Sequence, residues 1–269
     1  MFIRRAFASL LGFVTAVLMM SLTVAPAAAA NKQTKPTIVL VHGAFADSSS
    51  WDGVVPLLQA QGYQVISAAN PLRGVKSDAD YIASLLKKIS GPIVLVGHSY
   101  GGSVISNAAE GNPNVKALVY VAAFAPEVGE SAAALSAKFP GSTLGPTLAP
   151  PVPLAGGGND LYIDQAKFHE QFAADVPADK AKLMAVGQRP ITEAALNEAS
   201  PNAAWKNIPA WFVYGSADKN IPPQAQAFMA QRAGSKETVV VDGASHVVMI
   251  SHPDQVAKVI QNAAATATE

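Results

Sequence analysis

Residues 94–104 read VLVGHSYGGSV, in which branched apolar side chains give way to glycine, histidine, serine and two further glycines. A short β-branched run that ends in glycine is typical of a buried strand. Glycine has no Cβ, so Gly97, Gly101 and Gly102 leave room for a very tight turn. The stretch therefore predicts a strand, a sharp turn at Ser99 and a helix that begins directly after it.

Five other segments resemble this strand. Each is short, rich in β-branched residues and flanked by glycine or proline. They are residues 36–43, 63–70, 115–124, 209–216 and 236–243. Their near-continuous apolarity predicts strands buried on both faces, as in a parallel sheet covered by helices. Helical stretches separate them, the clearest being residues 78–90, where apolar side chains recur at helical spacing. The order predicts an α/β fold with a doubly wound, mainly parallel sheet of about six strands.

Residues 125–204 interrupt this alternation. Prolines and glycines cluster between residues 140 and 158, and helix-like pieces that contain Phe168 and Phe172 follow. Such a length is far too great for an ordinary loop within a compact α/β domain. We interpret residues 125–204 as an inserted, mostly helical cap, and assign residues 31–124 and 205–269 to the α/β core.

The first thirty residues predict a cleavable signal peptide. Arg4 and Arg5 precede an apolar run from about residue 10 to residue 24, and small residues suited to cleavage near Ala30 follow. The run is short for a membrane-spanning helix. We therefore expect a secreted or periplasmic protein with no stable membrane anchoring after cleavage. The paired arginines also suit twin-arginine export.

Charge and composition exclude several classes of function. The chain has 19 basic and 19 acidic residues, and removal of the leader leaves 17 against 19, so nothing attracts nucleic acid. The chain contains no cysteine, which excludes thiol catalysis and cysteine-ligated metals. None of its five histidines forms a closely spaced ligand pair, so we expect no metal site.

Ser99 lies where a G-x-S-x-G turn exposes a serine hydroxyl at the carboxyl edge of the sheet, which makes it a candidate nucleophile. A serine needs a base, and on this type of turn the acid and then the histidine follow it in the chain. His246 comes shortly after the last predicted strand and is the favoured base. His169 lies in the cap and His252 precedes a predicted helix, so both are interpreted as packing or surface residues.

Asp218 is the favoured acid, because it follows the strand that ends near Gly215 and so lies at the same edge of the sheet. Glu127, which follows an earlier strand, is the alternative. Asp242 is only four residues from His246 and is poorly placed to reach its ring from behind.

Acyl transfer also requires amide donors for an oxyanion. Tyr100, directly after the nucleophile, supplies one N–H group, and the loop after the first strand supplies the other through Ala44 or, as the alternative, Phe45. His42 and His98 lie beside glycines at strand ends, and we expect them to fix the two loops by hydrogen bonds.

These segments, with YGSADKNIP (214–222) and SHVVMISHPDQVAKVI (245–260), resemble the α/β-hydrolase fold superfamily, specifically the small serine hydrolases related to plant methylesterases and hydroxynitrile lyases. The resemblance implies a cofactor-free enzyme with Ser99, Asp218 and His246 as its triad and a six-stranded, all-parallel sheet without the N-terminal hairpin of longer members. Similar hydroxynitrile lyases carry lysine after the catalytic histidine, whereas Val247 stands here, so hydrolysis of a small-molecule ester is expected.

Aromatic residues near the expected mouth suggest a small to medium apolar or aryl ester. Phe45, Trp51 and Phe124 are the candidate substrate-binding residues, and Tyr162 and Trp205 could contribute from the cap. The alternative for each is a place in the hydrophobic core, which for Trp51 and Phe124 is an equal expectation. Two alternatives stay open at this level. One is a slow ligand-hydrolysing or non-catalytic binding protein on the same fold, and the other is a perhydrolase or cofactor-free haloperoxidase that uses the same triad.

Overall fold

The computed structural model describes Phe2 and residues 35–267. Residues 35–267 belong to one compact unit. The predicted signal peptide, with its cleavage site near Ala30, lies outside the described residues. No helix in the described part of the chain is long and apolar enough to cross a membrane.

Nine strands and ten α-helices make up the described chain. The strands are β1 (Thr37–Val41), β2 (Val65–Ala68), β3 (Ile93–His98), β4 (Val115–Val121), β5 (Val152–Pro153), β6 (Asn159–Leu161), β7 (Ile191–Thr192), β8 (Ala210–Gly215) and β9 (Glu237–Val241). The helices are α1 (Val55–Ala60), α2 (Val75–Leu86), α3 (Tyr100–Ala108), α4 (Ala132–Ala137), α5 (Gln165–Phe172), α6 (Ala178–Gly187), α7 (Glu193–Asn197), α8 (Pro223–Arg232), α9 (Val248–Ser251) and α10 (Pro253–Thr266).

Six strands form one parallel sheet in the order β2-β1-β3-β4-β8-β9. Strands β1, β3 and β8 are buried along their whole length, which explains their continuous runs of apolar residues. The edge strands β2 and β9 are only partly buried. The predicted sheet of about six parallel strands is confirmed. Five of the strands lie within the segments assigned to them, and β3 begins at Ile93, one residue before the quoted stretch.

The helix predicted over residues 78–90 begins and ends earlier, spanning Val75–Leu86. Its start is set by Glu198, whose Oε2 accepts from the Val75 amide at 2.6 Å and whose Oε1 accepts from the Lys76 amide at 3.2 Å. A carboxylate suits this position because the first amides of a helix have no partner within the helix. The cap thus supplies the N-terminal capping group of a core helix.

The strand order reverses between β1 and β3, since β2 lies on one side of β1 and all later strands lie on the other side of β3. In an open parallel sheet a crevice forms at such a reversal, beyond the carboxyl ends of the strands. The loop after β1 and the turn after β3 meet there. The fold therefore places Ala44 and Ser99 at the same end of the sheet.

Residues 125–204 contain α4 to α7 and also a small antiparallel sheet in the order β5-β6-β7. The sheet differs from the mostly helical expectation because its strands have two or three residues, too few for an alternating pattern. Arg73, just before α2, ties this sheet to the core through an ion pair of 2.6 Å with Asp160. The amide of Thr192 donates to the Leu72 carbonyl at 3.1 Å beside it.

Candidate active site

Ser99 occupies the single residue between β3 and α3, with φ 54° and ψ −124°. A side-chain-bearing residue at positive φ is strained and must be held by its surroundings. The Ser99 amide donates to the Val121 carbonyl, and the Ser99 carbonyl accepts from the amides of Gly102 and Phe124. These bonds hold the serine in the sharp strand-to-helix turn that its sequence predicts.

Gly43 allows the loop after β1 to lie against this turn. A Cβ atom at position 43 would be 2.5 Å from the Ser99 Cβ and 2.7 Å from the His98 carbonyl oxygen. These separations are shorter than nonbonded atoms tolerate. Because residue 43 is glycine, the backbone of the β1 loop can approach the serine side chain directly.

His246 and Asp218 form a buried pair at the ends of β9 and β8. Nδ1 of His246 lies 2.8 Å from Oδ2 of Asp218, and the two side chains are 1% and 0% exposed. The ionised carboxylate can only accept, so the proton of this bond is on Nδ1. In the neutral imidazole Nε2 of His246 then carries no proton, as a general base requires.

The carboxylate of Asp218 has a full set of donors. Oδ1 accepts from the amides of Asn220 at 2.8 Å and Ile221 at 3.0 Å, and Oδ2 also accepts from Nε2 of Gln226 at 2.8 Å. These three hydrogen bonds hold the carboxylate in one orientation. The loop after β8 therefore presents a fixed acceptor to His246.

The loops that carry the acid and the histidine are packed together at Gly215. A Cβ atom there would be 2.1 Å from the Ala244 carbonyl oxygen, and the Ala217 amide donates to that same oxygen at 3.1 Å. The close approach sets the register of the two loops and, with it, the separation of Asp218 and His246.

The amides of Ala44 and Tyr100 are available for a developing negative charge. No acceptor for either amide occurs within residues 35–267, whereas the Phe45 amide already donates to the Arg189 carbonyl at 3.0 Å. This geometry removes Phe45 as the alternative donor. Helix α3 begins at Tyr100, so the positive end of its dipole also lies beside Ser99.

Ser99 and His246 line one cavity of about 400 Å³. Ala44, Phe45, Tyr100 and Phe124 line it as well, and the rest of the wall is largely apolar. A pocket of this kind suits a small apolar molecule that is oriented by a few polar groups.

The sequence comparison matches residues 38–259 to the alpha/beta hydrolase family. The chain belongs to the α/β hydrolase family. This confirms the superfamily that its motifs resemble, and the match spans both the Ser99 turn and the His246 loop.

The alignments with individual relatives cover most of this hydrolase. The alpha/beta hydrolase nvfD of Aspergillus novofumigatus is 26% identical over 254 residues, which cover 87% of this chain and 99% of the relative. A pyrethroid hydrolase of Sphingobium wenxiniae is 28% identical over 245 residues, covering 84% and 87%. The crystal structure of polyneuridine aldehyde esterase superposes with a TM-score of 0.74 at 18% identity, covering 85% and 99%, and shows the shared fold.

Trp51 differs from its predicted place in the substrate site. It is fully buried and does not line the cavity of the hydrolase, because its ring packs edge-on against His98 at 6.5 Å. Trp205 is also absent from the wall and donates from Nε1 to the Pro126 carbonyl at 2.8 Å. Tyr162 does not line the cavity either.

The two histidines at the strand ends hold loops in place. Nε2 of His42 accepts from the Asn70 amide at 2.9 Å, so its proton is on Nδ1, which donates to the Gly43 carbonyl. Burial lowers the pKa of His42 to about 4. His98 donates from Nε2 to the His246 carbonyl at 3.2 Å, and burial, with the nearby His246, keeps the pKa of His98 well below its usual value.

The alternative acids and bases have other partners. Glu127 pairs with Lys206 at 2.8 Å, and that hydrogen bond lowers the pKa of the Glu127 carboxyl. Asp242 accepts from the hydroxyl of Ser216 at 3.0 Å. His169 bonds the Val176 carbonyl at 2.8 Å, and His252 lies 3.6 Å from Asp175.

The cap contributes more of the cavity wall than its sequence indicates. Helix α4 presents alanines and Ser136 to the cavity, and the loop that follows adds Phe139, Leu144 and Leu148. Phe172 at the end of α5 lies edge-on to His246, with ring centroids 5.1 Å apart. The only sequence feature that could have indicated this wall is the run of small apolar residues at 132–137. Because its apolar residues do not recur at helical or strand spacing, it does not predict which side chains face a cavity.

Proposed function

We propose that this α/β hydrolase is a cofactor-free serine carboxylesterase that acts on small to medium apolar or aryl esters. The observation that carries the proposal is the 2.8 Å bond between His246 and Asp218 at a cavity that also contains the strained Ser99. The names of the relatives, a pyrethroid hydrolase and a structurally similar esterase, support the same chemistry.

In the proposed reaction, Nε2 of His246 takes the proton of the Ser99 hydroxyl as Oγ attacks the ester carbonyl carbon. The amides of Ala44 and Tyr100 donate to the oxyanion of the tetrahedral intermediate. Collapse breaks the bond to the alcohol, which leaves with the proton from His246. A water molecule then attacks the acyl-serine with His246 again as the base, which releases the acid and restores Ser99.

The lining of the cavity supports an apolar substrate. The residues that line it, all of them in the described part of the chain, include aromatic and aliphatic side chains but no Lys, Arg, Asp or Glu. An anionic or phosphorylated substrate would lack a counter-charge there. Phe45 and Phe124 are therefore assigned to contacts with the apolar part of the ester.

Export is part of the same proposal, and the N-terminal sequence supports it. The test is the intact mass of the protein recovered from the extracellular or periplasmic fraction. We expect the mass of a chain that begins directly after Ala30, and the mass of the full-length chain would contradict cleavage.

The catalytic assignment is tested with a fluorophosphonate probe together with p-nitrophenyl esters of increasing chain length. Wild type should gain one adduct at Ser99 and show a maximum of kcat/KM at one chain length. Ser99→Ala should lose both the adduct and turnover while its thermal unfolding is unchanged. Labelling without ester turnover would favour a binding protein, and turnover by the Ser99→Ala variant would refute the mechanism.

A further inference from the structure

The amide of Tyr100, assigned above as an oxyanion donor, belongs to the same planar peptide group as the carbonyl of Ser99. That carbonyl accepts from the amides of Gly102 at 2.9 Å and Phe124 at 3.1 Å, so the peptide group is held on its Ser99 side. On the other side it continues into the Cα atom of Tyr100, whose side chain is fully buried. The contacts of the Tyr100 side chain therefore help to set the direction of its amide.

Asp78, in the first turn of α2, holds the hydroxyl group of Tyr100. This hydroxyl donates to Oδ2 of Asp78 at 2.9 Å, and both residues are fully buried. Burial, together with the neighbouring Asp78, raises the pKa of Tyr100, so the hydroxyl keeps its proton and is the donor of this bond. Asp78 does not line the cavity, so any effect that it has on the reaction passes through other residues.

The carboxyl group of Asp78 is itself fixed by the loop that precedes α2. The Arg73 amide donates to Oδ1 at 3.1 Å and to Oδ2 at 3.0 Å, and the Gly74 amide donates to Oδ2 at 3.4 Å. The cap holds this loop in turn, since Arg73 pairs with Asp160 and its carbonyl accepts from the hydroxyl of Thr192 at 2.9 Å. The acceptor of the Tyr100 hydroxyl is therefore supported from both the core and the cap.

We propose that Asp78 is a positioning residue for the hydrolytic reaction, which holds the Tyr100 hydroxyl and thereby keeps the Tyr100 amide directed at the oxyanion. The inference rests on the proposed esterase function and adds to it a residue outside the triad. The oxyanion exists in the tetrahedral intermediate and not in the bound ester. A misdirected donor should therefore weaken stabilisation of the intermediate and leave ester binding unchanged.

The test compares turnover with the binding of a transition-state analogue. The substrate is the p-nitrophenyl ester that wild type hydrolyses fastest, and the analogue is a trifluoromethyl ketone with the same alkyl chain. Oγ of Ser99 adds to the carbonyl carbon of the ketone, His246 takes the hydroxyl proton, and the carbonyl oxygen becomes a tetrahedral oxyanion. The inhibition constant Ki of the ketone therefore reports on the oxyanion donors, whereas KM reports on ester binding.

Tyr100→Phe removes only the hydroxyl group and keeps the backbone amide. We expect kcat/KM to fall and Ki of the ketone to rise by the same factor, about tenfold, while KM stays within about twofold of wild type. Complete loss of an oxyanion donor costs about a hundredfold or more. An effect of about tenfold corresponds to a donor that is present but misdirected.

Tyr120→Phe is the matched control. Tyr120 on β4 is fully buried like Tyr100, its hydroxyl pairs with Oγ of Ser106 at 2.8 Å, and it does not line the cavity. This substitution also removes a hydroxyl group from a buried hydrogen bond, so it should lower the thermal unfolding temperature in the same way. Its kcat/KM and its Ki for the ketone should stay at the wild-type values.

Asp78→Ala is measured both in wild type and in Tyr100→Phe. It should raise Ki about tenfold in wild type and by no more than about twofold in Tyr100→Phe, because the hydroxyl group through which Asp78 acts is already missing there. Thermal unfolding shows whether each variant is folded. If Asp78→Ala does not fold, the comparison of Tyr100→Phe with Tyr120→Phe decides the question.

An unchanged Ki in Tyr100→Phe, equal rises of Ki in Tyr100→Phe and Tyr120→Phe, or equal effects of Asp78→Ala in the two backgrounds would overturn the positioning role while leaving the esterase assignment intact. Absence of both ester turnover and ketone inhibition in wild type would instead overturn the proposed function, and the role of Asp78 with it.

Discussion

Nδ1 of His246 lies 2.8 Å from Oδ2 of Asp218, and both side chains are buried. The two residues are 28 positions apart and come from the loops after adjacent parallel strands. Because β8 and β9 pair in parallel, their carboxyl ends reach the same edge of the sheet. The pair therefore results from strand order and from the packing of the two loops at Gly215.

Asp218→Asn is expected to lower kcat by on the order of ten-thousandfold. An asparagine amide that donates to Nδ1 would place the histidine proton on Nε2, where it cannot act as a base. The measurement is kcat on a p-nitrophenyl ester, with circular dichroism and thermal unfolding to establish that the variant is folded.

Glu127→Gln is the matched control for this change, because Glu127 is the other carboxylate considered as the acid. Its side chain pairs with Lys206, so kcat should stay within about twofold of wild type. A large loss of kcat in Glu127→Gln with little loss in Asp218→Asn would reverse the assignment of the acid.

Gly43→Ala should reduce kcat/KM by about a hundredfold, since the new methyl group would overlap the Ser99 side chain. A displacement of the nucleophile by about 1 Å is enough for such a loss. Gly156→Ala is the control, because no heavy atom outside its immediate neighbours lies within 4 Å of a Cβ at that exposed position. Equal kcat/KM in the two variants would show that the β1 loop can move away from Ser99 without disturbing catalysis.

The sheet and the Ser99 turn could be predicted because their signals are local. Each strand is a contiguous apolar run, and the Ser99 turn needs only its own glycines. The position of Trp51 could not be predicted from its local sequence. An aromatic residue in the loop after β1 can face the core or the cavity, and Trp51 faces the core because it packs against His98.

The cap wall could not be predicted for a different physical reason. Residues 132–148 intersperse alanines, three leucines and one phenylalanine with glycine, proline, serine and threonine, and they show neither a helical nor an alternating period. Their place at the cavity depends on contacts with distant segments, such as the bond between the Thr143 amide and the Lys219 carbonyl.

Ala133→Leu should shift the preferred acyl chain to a shorter ester by roughly two to three carbons, because the cavity wall of α4 is close-packed and the added atoms take up cavity volume. The measurement is kcat/KM across p-nitrophenyl esters of increasing length. Ala134→Leu adds the same atoms at the next position of α4, where the residue is exposed and not part of the wall. Its dependence of kcat/KM on acyl chain length should match that of wild type. The same change of preferred chain length in both variants would contradict the assignment of Ala133, and not Ala134, to the cavity wall.

His42 should make the unfolding free energy depend on pH between about 4 and 6.5. Burial lowers its pKa from 6.5 to about 4 in the folded state, so in this window the unfolded chain binds a proton that the folded chain does not. Lowering the pH therefore favours unfolding, by about 3 kcal/mol from this residue over the whole window.

Calorimetric unfolding at pH 5.5 in two buffers of different ionisation enthalpy counts the protons taken up on unfolding. Comparison of wild type with His42→Gln isolates the residue, because all other titrating groups are shared. His42→Gln should take up about one proton fewer, since at pH 5.5 the imidazole is almost wholly neutral when folded and mostly protonated when unfolded. Equal proton uptake in the two proteins would mean that folded His42 titrates like an exposed histidine, and the hydrogen bond from the Asn70 amide to its Nε2 would then not describe the protein at this pH.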